Sequence, residues 1–225
     1  MENKILNILV VDDTEQHRQA AAEQLRDKYQ LHLASNYDEA LKALLGMPPA
    51  ERVGDAYDFL RAKERLLTAA PEEAAPPPFD VVLTDLLLPA SRQMMGDEAI
   101  RTFSGLELAY GFPIALLALQ RAVPYVAINT DANHHAHPMA FALETLGGMQ
   151  RKACYPPIDS GMVEYNAVEY NNRQSLMDFG KSRLFITTSE QTQNSTGLRV
   201  KDWAKTLQHL LGDTTELCTH PEYKN

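Results

Sequence analysis

Phe79 to Pro89 reads FDVVLTDLLLP, an apolar run with Asp85 at the point where it should leave a sheet. Val81, Val82 and Leu83 are the β-branched and aliphatic residues that a strand buried on both faces takes. Pro76 to Pro78 mark its start sharply. In open α/β sheets, ligands bind in the crevice beyond the carboxyl ends of the strands, so Asp85 is expected to face that crevice.

Upstream, Ile5 to Val11 (ILNILVV) is a second apolar run that ends directly in Asp12 and Asp13, repeating the pattern at Asp85. Thr14 is placed to cap a helix reaching to Lys28, with Ala20, Ala21 and Leu25 on its apolar stripe and Asp13 and Glu15 suiting its positive end. LHLA, residues 31 to 34, is a short strand, and Ser35 or Asn36 caps a second helix that Gly46 stops. From 47 to 78 the composition changes. Two prolines, a helical AYDFLRAKERLLTAA and the Ala/Glu/Pro-rich PEEAAPPP predict an insertion with one amphipathic helix and a stiff linker. That helix either packs on the domain or pairs with a second copy in a homodimer.

Downstream, Ala90 to Ser104 is a polar loop longer than an ordinary βα connection, a candidate lid or partner surface. Gly105 is expected to open a helix, LELAYGFPIALLALQRAV, interrupted near Gly111 and Pro113. PYVAIN, 124 to 129, is a further strand leaving at Thr130 and Asp131, and Ala136 to Leu146 reads as a helix ended by Gly147 and Gly148. Residues 149 to 180 show no clean period and read as a second insertion, with a small hairpin near Asp159, Ser160 and Gly161. SRLFITT, 182 to 188, is the fifth strand. Val200 to Leu211 is a last helix with Trp203, Leu207, Leu210 and Leu211 on one face, followed by a frayed end. Strand and helix alternate throughout, which predicts an α/β fold: a five-stranded parallel sheet flanked by helices, with right-handed crossovers. The whole chain, 1 to 225, is read as a single domain carrying the insertions 47–78 and 149–180.

The 225 residues suffice for one enlarged domain with a sizeable core. A net charge of -9 without a cluster of Lys and Arg argues against a nucleic-acid or anionic-membrane surface. Cys154 and Cys218, outside any CxxC, are too few for a disulfide framework or a thiolate metal site, which suits a reducing compartment. The polar start, the lack of a signal-like apolar region and the lack of any stretch of membrane-spanning length lead to the expectation of a soluble cytoplasmic protein.

In a parallel sheet the strand ends bearing Asp12, Asp13, Asp85 and Thr130 are neighbours. Clustered carboxylates repel one another and titrate upward unless a cation sits among them, so a hard divalent ion with oxygen ligands, Mg²⁺, follows from the charge argument. Mg²⁺ held by few carboxylates completes its shell with water and phosphate oxygens, which points to phosphoryl chemistry, and an aspartate can itself attack phosphorus to form an acyl phosphate.

ILVVDD at 8 to 13, FDVVLTDLLLP at 79 to 89, GLEL at 105 to 108 and VAINT at 126 to 130 together resemble the receiver domain of bacterial two-component response regulators. The resemblance covers 5 to 46, 79 to 89 and 105 to 146. It implies a flavodoxin-like fold in which Asp85 accepts a phosphoryl group from a histidine kinase or phosphotransfer protein. It also implies Mg²⁺ on Asp12, Asp13, Asp85 and the backbone carbonyl of Leu87, with the Thr130 hydroxyl gripping phosphoryl oxygens as the switch. A receiver further carries a Lys at the end of its fifth strand, usually before Pro. Here SRLFITT ends in Thr188 and Ser189, leaving Lys152, Lys181 and Lys201 as candidates, and Asp131 stands where a small residue is usual.

Each site residue has a plainer role to weigh. Aspartates at strand-to-helix turns cap helices, but three of them at two strand ends, with Thr130, favour the ion. For Thr130, capping and switching stay equal. In DANHHAHP, His134 and His137 could share a helix face and bind Zn²⁺, perhaps with Asp131, whereas His135 and its neighbours more simply form a polar helix entry. Trp203 reads as a core or dimer anchor, and Arg199, Lys201 and Lys205 most simply as a solvated face, although one of them could reach the phosphate site. The leading expectation is a receiver that stands alone and signals through an unidentified target protein, a phosphoacceptor and not an enzyme in the ordinary sense. One alternative is a Mg²⁺-dependent phosphotransferase or hydrolase of the aspartyl-phosphate kind, demoted because Leu87 occupies the position where that class places a second Asp. The other is a pseudo-receiver that only binds proteins.

Overall fold

In a computed structural model of the chain, the described residues are 5–46, 77–90, 97–132, 137–140, 142–143, 168–169, 174–187 and 191–212. Four apolar runs form parallel strands: β1 (Asn7–Val11), β2 (Gln30–Ala34), β3 (Val81–Thr84) and, after the short β4 (Leu88–Pro89) and β5 (Glu107–Leu108), β6 (Tyr125–Asn129). The sheet continues through β7 (Val168–Glu169), β8 (Gln174–Phe179) and β9 (Ser182–Thr187). Its order is β2-β1-β3-β6-β9-β8-β7, and the first five are parallel. In order along the chain these five are strands 2-1-3-4-5, the flavodoxin-like winding. The five-stranded parallel sheet expected from the sequence is therefore present.

β8 and β7 extend it as antiparallel strands, a part of the expected second insertion that showed no period. Gly180 makes the β8–β9 turn possible: its φ of 60° suits a type II′ turn, which takes glycine at its first central position. Residues 159 to 161, with the hairpin expected there, and nearly all of the expected insertion 47–78 lie outside the described residues.

The side chains of the parallel strands alternate between two cores. Leu9, Val11, Val82, Val126, Ile128, Leu184 and Ile186 face α2 (Tyr37–Leu44) and the helix α4 (Gly111–Gln120). Ile8, Val10, Val81, Leu83, Ala127 and Phe185 face α1 (Glu15–Leu25) and the last helix, α5 (Trp203–Leu211). A sheet covered on both faces needs apolar residues at successive positions, which is why these strands read as continuous apolar runs. Asn36, not Ser35, caps α2, its side chain accepting the Glu39 N–H at 2.9 Å, and Gly46 ends that helix with a φ of 66°. Among the described residues, no helix is long and apolar enough to cross a membrane.

Three local expectations are corrected. The loop expected over 90 to 104 contains a helix, α3 (Asp97–Phe103), whose acidic first turn suits the helix dipole. Gly105 does not open a helix: it takes a φ of 80°, and β5 pairs antiparallel with β4 just after it. That helix begins at Gly111, where Pro113 falls in the first turn and its missing N–H costs nothing. The last helix begins at Trp203, not Val200. Residues 199 to 201 are instead β11 (Arg199–Lys201), paired antiparallel with β10 (Gln191–Gln193), and Asp202 caps the helix by accepting the Lys205 N–H at 2.9 Å.

Gly111 brings α4 against the end of β3. Its N–H donates to the Leu86 carbonyl at 2.9 Å, and a Cβ on it would overlap the Asp85 backbone carbonyl. No rotamer relieves an overlap between Cβ and backbone. Gly111→Ala should destabilise the fold by about 2 kcal/mol, read as a lower urea midpoint; an unchanged midpoint would show that α4 can move away freely.

Candidate functional site at the carboxyl ends of β1 and β3

The winding order reverses between β1 and β3, the point where an open α/β sheet forms its crevice. Asp12 follows β1 directly and Asp85 follows β3 directly, held in step by the bond from the Asp85 N–H to the Val11 carbonyl at 2.8 Å. Both side chains are buried and Asp13 is half-buried. Carboxylate oxygens of Asp12, Asp13 and Asp85 lie within 4.8 Å of one another, so the expected cluster is assembled.

Between Asp12 and Asp85 stands Lys201, with no side-chain exposure and its Nζ 2.7 Å from Oδ2 of each carboxylate. The expectation that Lys201 lies on a solvated helix face is overturned. It ends β11, and the hairpin β10–β11 carries it over the strand ends into the crevice. Lys181 lies in the turn before β9, at the opposite end of that strand, and is exposed. Lys152 lies outside the described residues.

Each carboxylate is held by further donors. Oδ1 of Asp12 accepts the Thr14 N–H at 2.9 Å, and its Oδ2 takes His17 Nδ1 at 3.2 Å besides Lys201. Thr14 occupies the capping position of α1, but its own side chain makes no cap bond. His17, missed by sequence reasoning, is fixed through its carbonyl by the Trp203 Nε1–H at 3.0 Å. Trp203 is a core residue, wholly buried, with Lys201 Nζ 5.6 Å from its ring centre. Oδ1 of Asp85 accepts the Leu86 N–H at 2.6 Å.

Burial by itself would raise the Asp12 pKa; the bond from His17 and the Lys201 ammonium outweigh it and hold the carboxyl below its ordinary range. For Asp85 burial wins: its carboxyl is pushed up to about 6, with Lys201 pulling it down and Asp12 and Asp131 pushing it up. Burial and repulsion from Asp12 also raise Asp13. Burial disfavours the Lys201 charge, but Asp85 and Asp12 together raise its pKa, so it stays an ammonium.

Asp85 and Asp13 thus stay raised even with the lysine in place, because burial outweighs it. A cluster of carboxylate oxygens, with no thiolate or imidazole in it, is a hard donor set that fits Mg²⁺. Leu87 lies in the turn before β4, its side chain packed on the core.

Thr130 is buried at the end of β6. Its N–H bonds the Thr187 carbonyl at 3.1 Å, and its Oγ1 accepts the Ala132 N–H at 3.1 Å across a local turn outside any described helix, which leaves the hydroxyl proton able to donate. Asp131 beside it is exposed. His137 is not with the carboxylates, and its Nδ1 accepts the Met139 N–H at 3.3 Å at a helix entry. His134 and His135 lie outside the described residues.

No protein-family model matches the chain, and no curated protein matches it. Among solved structures it is similar to the BeF3-activated receiver domain of DrrB, at 18% identity and a TM-score of 0.28, covering 58% of this chain and 69% of that one. It is similar to the bacteriophytochrome response regulator AtBRR at 16% identity and a TM-score of 0.35, over 63% and 77% of the two chains. It is also similar to the Thermotoga maritima response regulator DrrB, titled an OmpR/PhoB homolog, at 12% identity and a TM-score of 0.30, over 80% and 66%. These neighbours are response regulators or their receiver domains.

Proposed function

We propose that this chain is a phosphoacceptor signalling domain of the receiver kind, in which Asp85 takes a phosphoryl group from a phosphohistidine on a kinase or phosphotransfer protein. The observation that carries this reading is the Lys201 ammonium at 2.7 Å from both Asp12 and Asp85, at the sheet's switch point. A lysine on the acceptor carboxylate supports phosphoryl transfer over binding alone.

Asp12, Asp13, Asp85 and the Leu87 carbonyl would hold Mg²⁺, which when bound offsets the negative charge of a phosphoryl group. The Asp85 carboxylate attacks phosphorus, a P–O bond forms as the P–N bond of the donor breaks, and the electron pair stays on the imidazole nitrogen. Catalysis here rests on position and charge. The Leu86 N–H holds one oxygen of Asp85, Lys201 neutralises the incoming phosphoryl oxygens, and the Thr130 hydroxyl is free to donate to them. Asp12, fixed by Thr14, His17 and Lys201, keeps its charge where a cation needs it.

With acetyl phosphate and Mg²⁺ the protein should gain one acid-stable, base-labile phosphoryl group, seen as an 80 Da mass increase, roughly the mass of PO₃H. Asp85→Asn should abolish it, and an equal gain in that variant would sink the proposal. Mg²⁺ competes with the proton on Asp85, whose pKa stands at about 6. Affinity by calorimetry should therefore fall about tenfold per pH unit below that value; an affinity flat from neutral to acid pH would refute the linkage. Lys201→Met leaves two buried carboxylates facing each other and should cost about 3–5 kcal/mol in urea unfolding at neutral pH. Because the folded Asp85 pKa lies above its ordinary 3.8, the folded state holds the extra proton between those values. Lys201→Met removes the charge that pulls Asp85 down, so the variant's carboxyl is raised further and its stability should recover as pH falls, starting above about 6; no recovery would assign the loss to packing.

A further inference from the structure

The lysine reaches the site from outside the sheet. β10 and β11 form a separate two-stranded ribbon of three residues each, so no ladder of the main sheet fixes the Lys201 backbone. A two-stranded ribbon of that length is marginal by itself, yet Lys201 Nζ is aligned on two carboxylates at 2.7 Å. Something else must hold the segment 201 to 204.

We propose that Gln24, on α1, is the positioning residue that sets Lys201 between Asp12 and Asp85; this rests on the phosphoacceptor reading above. Its Nε2 donates to the Lys201 carbonyl at 3.2 Å, and its Oε1 accepts the Ala204 N–H at 3.0 Å. The two bonds span both ends of one short stretch, and their opposite polarity fixes the orientation of the amide, since a flipped amide would lose both. Ala204 sits in the first turn of α5, where its N–H has no partner within the helix. Trp203, between the two anchored residues, donates to the His17 carbonyl one helical stretch earlier on α1. α1 therefore grips the lysine-bearing segment at Lys201, Trp203 and Ala204, and the same helix supplies His17 to Asp12. Gln24 replaces the strand ladder that a lysine at the end of the fifth strand would have had.

The consequence is a pair of effects with opposite signs. When the amide is lost, the ammonium is held less firmly against the carboxylates. A divalent cation then meets less competition, while phosphoryl transfer loses its fixed counter-charge. Gln24→Met, which keeps the side-chain length, should bind Mg²⁺ about threefold to tenfold more tightly by calorimetry and accept phosphate from acetyl phosphate about tenfold more slowly. General loosening of the fold would weaken both. The decisive comparison is made in Lys201→Met at a pH where thermal unfolding shows it folded: there, adding Gln24→Met should change the Mg²⁺ affinity no further. The same affinity gain in both backgrounds, or no gain in either, overturns the assignment. Absent phosphorylation of the wild-type protein, with the Mg²⁺ pattern intact, would instead remove the phosphoacceptor reading and leave Gln24 as the residue that places Lys201.

Discussion

One buried ammonium between two buried carboxylates organises this molecule. Lys201 and Asp12 have no side-chain exposure and Asp85 very little, so all three charges have left water. Such burial is tolerable only when each charge has close partners, and here every oxygen of Asp12 and Asp85 has at least one. The count of charge still does not balance. Asp12, Asp85 and half-buried Asp13 face Lys201, with Arg18 acting on Asp13, so negative charge still exceeds positive charge at this end of the sheet.

Meeting that constraint takes elements from the whole length of the chain. β1 and β3 must be adjacent to bring Asp12 and Asp85 together, and that adjacency is the winding reversal of the fold. On one face, Gly111 lets α4 approach the end of β3, and the stacked rings of Tyr37 and Tyr110, 4.4 Å apart, join α2 to the start of that helix. On the other face, Trp203, Leu207 and Leu210 pack α5 against the sheet, so the chain enters that helix beside the site. Asn129, at the end of β6, ties the same helix through Thr206 at 2.8 Å. The position of Lys201 is thus tied to α1 and to the helix that follows it more than to the short strand it ends.

Much of the fold could be read from residue order. Runs such as ILNILVV and FDVVLTD are apolar at successive positions because their strands have a core on each side. The acids at their ends were legible because residues 8 to 11 and Val81–Thr84 carry no charge, so the first carboxylate marks where each strand leaves the sheet. Less legible were elements too short to show a period. RVK at 199 to 201 pairs with QTQ at 191 to 193, and neither is long enough to alternate, so the helical period of the following WAKTLQHLL absorbed the first of them. Lys201 was placed on that helix with it, though it stayed among the three candidate lysines. Gln24 carried no signal at all, since a glutamine on a helix is ordinary until its partners are known.

What the sequence determined by itself was the material of the site and the frame: buried strands, the acids that terminate them, and the helices between, all consequences of local pattern. What only the tertiary structure decided was which cation completes the carboxylate pair. Lys201 stands 189 residues from Asp12 in the chain, and its approach depends on a hairpin, a helix cap at Asp202 and the amide of Gln24. Contacts of that range are set by packing and long-range hydrogen bonding, and no local spacing encodes them.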